Sequence, residues 1–92
     1  SGFMALKVET ISLTKLAVAA AEEKLAKDIV ALDLSNQGIL ADVFLIITGA
    51  NDPQLEAISD EINENYRKQE SDPFVVKGWV EVRNGFSLIT VI

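Results

Sequence analysis

Apolar residues run unbroken from Val43 to Ile47. Five such positions are far too few for a membrane span and fit a strand covered on both faces. Gly49 ends the strand, because it accepts backbone angles that other residues avoid. Asp52-Pro53 then opens a helix: the Asp carboxylate can accept from first-turn amides, and a proline in the first position loses no hydrogen bond. That helix is expected over Pro53 to about Gln69. Leu55, Ile58, Ile62 and Tyr66 share one face, while Glu56, Asp60, Glu61 and Glu64 lie on others.

The rest of the chain packs around this strand–turn–helix unit. Leu13, Leu16, Ala17, Ala20, Ala21 and Leu25 recur at helical spacing and predict a first helix near Ser12 to Lys27, with Ser12 as its cap and Glu23–Lys27 as an i,i+4 pair. Asp28 to Leu34 reads as a strand. The turn material Ser35-Asn36-Gln37-Gly38 follows, and so short a link makes this strand antiparallel to Asp42–Thr48. Beyond the second helix, Phe74-Val75-Val76 is a short strand.

Asn84-Gly85 between apolar runs signals a two-residue hairpin. One hairpin face carries Trp79, Glu81, Arg83, Phe86, Leu88 and Thr90; the other carries Val80, Val82, Ser87, Ile89 and Val91. The second is the better core. The first mixes large apolar groups with both charges, as a partly exposed recognition surface does. The expected architecture is α/β, two main helices on a mixed sheet, in the order α-β-β-α-β-β-β.

Ninety-two residues with 49% hydrophobic content make one domain. Ser1-Gly2-Phe3 ahead of Met4 reads as a leftover of expression, so the domain is taken as residues 4–92. Net charge is −6, and residues 28 to 72 alone carry −8. That balance argues against gripping phosphate backbones, DNA included, and suits a basic protein partner. With no cysteine and no histidine, thiolate and Ser-His-Asp chemistry are excluded and the commonest metal ligand is missing. The glycines form no phosphate-binding loop. A nucleotidyltransferase would need an Asp-x-Asp or Asp-x-Glu for magnesium, and none occurs. Expected, then, are no enzyme activity, no cofactor, no membrane span and a cytoplasmic location.

Three motifs fall in register: Asp28-Ile-Val-Ala-Leu-Asp-Leu34, Ala41-Asp-Val-Phe-Leu-Ile-Ile-Thr-Gly49, and Gln54-x-x-Ala57-Ile58-x-Asp60-Glu61-Ile62. Together they resemble the ribosomal silencing factor family (RsfS, or Iojap) over about residues 12–92. The resemblance implies a nucleotidyltransferase-like fold without catalytic residues. It also implies a factor that binds large-subunit ribosomal protein fourteen of the universal scheme and sterically blocks joining of the small subunit, so repressing translation. The hairpin carries the docking residues under this reading: Trp79, Glu81, Arg83, Asn84, Gly85, Phe86 and Leu88. Trp79, Val80, Val82 and Gly85 match the family pattern. Arg83, Asn84, Phe86 and Thr90 depart from it, and family members usually continue beyond this strand into a helical tail, past the point where the sequence given stops. Alternatives from other classes are a homodimerisation module using a free sheet edge and, less favoured, a nucleotide-binding enzyme using the Gly49 turn. If Trp79 is the anchor, Trp79→Ala weakens ribosome binding by ~2 kcal/mol or more while the fold survives; an unfolded variant marks a core tryptophan instead.

Overall fold

The computed structural model describes residues 8–37, 41–69 and 80–92. Within them the order is α1 (Val8–Glu23), β1 (Asp28–Asp33), β2 (Val43–Thr48), α2 (Asp52–Gln69), β3 (Val80–Asn84) and β4 (Ser87–Val91). The strand expected at Phe74–Val76 lies outside the described residues.

The strands form one sheet in the order β1-β2-β4-β3. Every pairing among the described residues is antiparallel, where a mixed sheet was expected. The short link from β1 to β2 does produce the predicted antiparallel pair, with Asp28 opposite Thr48 and Asp33 opposite Val43.

Both helices pack on the same side of the sheet. Ala17, Ala20 and Ala21 of α1 and Leu55, Ile58, Ile62 and Tyr66 of α2 close over Leu45, Ile47 and Leu88. The α2 stripe is the one that helical spacing predicts. The three alanines let α1 approach closely, and the Tyr66 hydroxyl donates to the Leu13 carbonyl at 2.9 Å. Thr10 ties the start of α1 to the residue just before β2 by donating to Asp42 at 3.0 Å.

With helices on one side only, β2 is not covered on both faces by the described residues. Val43, Leu45 and Ile47 are buried, while Phe44, Ile46 and Thr48 are half-buried on the opposite side. An unbroken apolar run therefore hides a strand with two unequal faces.

The helix ends differ from their expected positions for local reasons. Ser12 lies within α1 and does not cap it. At the other end, Ala26 N–H donates to the Ala21 carbonyl (2.9 Å) and Leu25 N–H to the Glu22 carbonyl (3.0 Å). Those two bonds close a Schellman motif, so the helix stops at Glu23 and Lys27 cannot pair with Glu23 along it. Leu25 takes the left-handed position, φ +61°, and is 79% exposed rather than part of the apolar stripe.

The cap of α2 is Asn51, whose side chain accepts from Gln54 N–H at 2.8 Å; Asp52 is already helical. Gln54 reaches back to accept from Ala50 N–H (2.6 Å) and donates to the Lys24 and Leu25 carbonyls (3.0 and 2.7 Å). A single amide thus binds the start of α2 to the end of α1. Gly49 is required here by space rather than by backbone angle: a Cβ at 49 would sit 2.9 Å from Leu55 Cδ2 and 3.2 Å from Gln54 Oε1.

Two substitutions test these termini by chemical denaturation. Leu25→Gly removes the left-handed strain with little packing to lose, and is expected to raise stability by roughly 0.5–1 kcal/mol. Gly49→Ala pushes on the buried Leu55 and is expected to lower it by about 1–3 kcal/mol.

Candidate docking face

Sheet register places side chains in rows across the four strands, because directly paired residues share a face. On the side away from the helices the rows run Leu32–Phe44–Val91–Val80 and Val30–Ile46–Ile89–Val82. A third row, Asp28–Thr48–Ser87–Asn84, is polar. The Thr48 and Ser87 hydroxyls lie 3.5 Å apart within it. Eight apolar side chains thus span the sheet edge to edge and stop at a polar border whose one charged member is Asp28.

None of the eight is fully buried by the described residues. Val80 is 61% exposed and Val82 50%, and Val30 and Leu32 are also exposed. An apolar surface this continuous is characteristic of a contact site rather than of scattered surface hydrophobics.

The hairpin carries the residues that the sequence pointed to, but turned the other way. Leu88 is fully buried under the helices and is core, not part of an exposed patch. Val80 and Val82, expected in the core, are on the open side. The reason is β4: Leu88 pairs with Ile47 and Thr90 with Leu45, whose side chains point to the helices, and parity carries that choice to β3.

The turn also differs. Asn84 pairs with Ser87, so the two loop residues are Gly85 and Phe86, with positive φ at Gly85 alone, as a type II′ turn requires. This register sets Val82 opposite Ile89 and Val80 opposite Val91, β-branched pairs that an Asn-Gly loop would have broken. The shift is by two residues, so the membership of each face is unchanged. Asn84, Gly85 and Phe86 remain exposed at the tip, where the Phe86 carbonyl accepts from Gly49 N–H at 2.9 Å. Trp79 lies outside the described residues.

Glu81 and Arg83 point toward α2. The Ser59 hydroxyl donates to Glu81 Oε2 at 2.5 Å, and Arg83 donates to Glu56 at 2.7 Å. Glu81 Oε1 and the Thr90 hydroxyl, side by side in the pairing, are buried without a hydrogen-bond partner among the described residues. Burial pushes the Glu81 carboxyl above its usual range; the Ser59 bond and Arg83 pull the other way, and the Glu56 and Asp60 charges reinforce the rise. The Tyr66 phenol is also pushed up, by burial first and the Glu81 charge second.

The eight-residue open face was missed in the sequence because its members come from four strands. A signal existed: Phe44, Ile46, Ile89 and Val91 are as apolar as the residues alternating with them. Elsewhere, no three acidic, cysteine or histidine side chains gather to hold a metal among the described residues. No described helix is long and apolar enough to cross a membrane.

Comparison with known proteins gives this face its context. The family model described as ribosomal silencing factor during starvation matches residues 7–85. The ribosomal silencing factor RsfS of Bacillus subtilis is 38% identical over 72 residues, covering 78% of this chain and 61% of the relative. The protein of the same name from Halalkalibacterium halodurans is 32% identical over 71 residues, covering 77% and 61%. This chain belongs to the ribosomal silencing factor family. It spans about three-fifths of the length of these relatives.

The raised Glu81 carboxyl has a consequence for stability. A group held above its unfolded value favours the fold when protonated, and that contribution is lost as pH rises through the folded value. Glu81→Gln keeps an acceptor for Ser59 and removes the charge. The stability difference between Glu81→Gln and the natural chain is therefore expected to grow in favour of the variant from pH 4 toward neutrality, measured by urea unfolding; a flat difference contradicts the assignment.

Proposed function

We propose that this protein is a translational repressor that binds the large ribosomal subunit and sterically blocks joining of the small subunit, without chemistry of its own. Its partner in this reading is large-subunit ribosomal protein fourteen. The observation that carries the proposal is the open sheet face, two apolar rows with Asp28 as the one charge on its polar border. No Lys or Arg stands in those three rows, so ribosomal RNA has little to hold it there, whereas a protein patch with an apolar centre and a basic rim is complementary. Family membership supports the ribosome as the target. Asn84, Gly85 and Phe86 at the hairpin tip extend the contact surface. The fold, in this reading, is a nucleotidyltransferase-like one that retains the layers and lacks the carboxylates.

A second copy of the chain could cover the same face, and the test separates the two. The purified protein is run on a gradient with separated bacterial ribosomal subunits, beside Val82→Asp and the β-branched control Val82→Thr. Co-migration with the large subunit is expected for the natural chain and the control, with at least a tenfold loss, about 1.4 kcal/mol, for Val82→Asp. Dimeric mass in light scattering without co-migration points to the second copy; a folded Val82→Asp that still co-migrates overturns the docking face.

A further inference from the structure

We infer that Ser59 and Glu81, assisted by Glu56 and Arg83, are positioning residues: they hold edge strand β3 in the register that turns Val80 and Val82 onto the docking face. The inference rests on the docking reading above and refines it, because it removes Glu81 and Arg83 from the contact surface.

An edge strand is the one whose register is least constrained. Among the described residues β3 pairs with β4 alone. A slip of one residue would turn Val80 and Val82 toward the helices and Glu81 and Arg83 toward solvent. Hydrophobic burial by itself favours that slip, since it would hide two half-exposed valines and release a half-buried carboxylate with one unpartnered oxygen. The hairpin could accommodate it, because a three-residue loop ending in a bulge is among the next most common hairpin connections. Something specific must oppose the slip.

Two cross-ties to α2 do so. Glu56 and Ser59 are one helical turn apart on α2, and Arg83 and Glu81 are alternate residues on β3. The spacings match, so both ties form together at 2.7 and 2.5 Å in the observed register and neither can form after a one-residue slip. They are not equal. Arg83–Glu56 is a surface pair with Glu56 67% exposed, of the kind that contributes little. Ser59 is buried and its bond to a carboxylate is charge-assisted, so it carries most of the discrimination.

The chain has no cysteine, so a single Val82→Cys reports which way β3 faces. Maleimide labelling at position 82 is measured in the full chain, alone and combined with Ser59→Ala or Ser59→Thr, and large-subunit binding is measured for the two Ser59 variants with Val82 intact. Ser59→Ala is expected to slow labelling about tenfold by making the slipped register the dominant one, and to weaken subunit binding in parallel. Ser59→Thr keeps the hydroxyl and is expected to restore both. Glu81→Asp, which keeps the charge but falls one methylene short of Ser59, should reproduce the slower labelling. Unchanged labelling in both Ser59→Ala and Glu81→Asp overturns the positioning role. Slower labelling with unchanged subunit binding upholds it and instead refutes the docking face.

Discussion

Everything about the orientation of this molecule follows from the pairing of β4 with β2. Leu88 lies opposite Ile47 and Thr90 opposite Leu45, and these side chains share one side with the apolar stripe of α2. Once that face of β4 is committed to the helices, alternation commits the rest. Phe44, Ile46, Ile89 and Val91 must point away, and β3, tied to β4 by a two-residue turn, must follow with Val80 and Val82 outward. Among the described residues both helices lie on the other side, and no second layer receives them.

Much of this was legible locally. Helical spacing identified the buried face of α2 residue by residue, because a stripe at Leu55, Ile58, Ile62 and Tyr66 has only one way to be buried. The short link after β1 dictated an antiparallel neighbour. What could not be read was which side of the hairpin meets the helices. Val80 and Val82 are more apolar than Glu81 and Arg83, so local hydrophobicity chooses wrongly. The deciding partner, Leu45–Ile47, lies some forty residues away in sequence. The Asn84-Gly85 signal likewise located the hairpin but not its register, since the glycine could fill either loop position. The open sheet face was invisible for a similar reason: no strand contributes more than two of its apolar members.

The helix layer is organised differently, through single polar side chains that each join two elements. Gln54 links the α2 start to the carbonyls at the end of α1, Tyr66 links the α2 body to Leu13, and Lys24 and Glu61 approach to 4.0 Å between the same helices. Ala17, Ala20 and Ala21 bring α1 close, Leu13, Leu16 and Val18 pack beside them, and the directional bonds add to that burial.

The separation of charge between the two layers gives the molecule a front and a back. Among the described residues, Glu22, Glu23, Asp52, Glu56 and Asp60 are exposed on the helical side, while the three open sheet rows present one aspartate at a corner. Near any large body clothed in phosphates, such a particle experiences a torque before it touches anything: its acidic back is repelled and its neutral front is not. Arrival is thereby biased to sheet-first poses, and added salt, by shortening the reach of that repulsion, should make encounters less oriented.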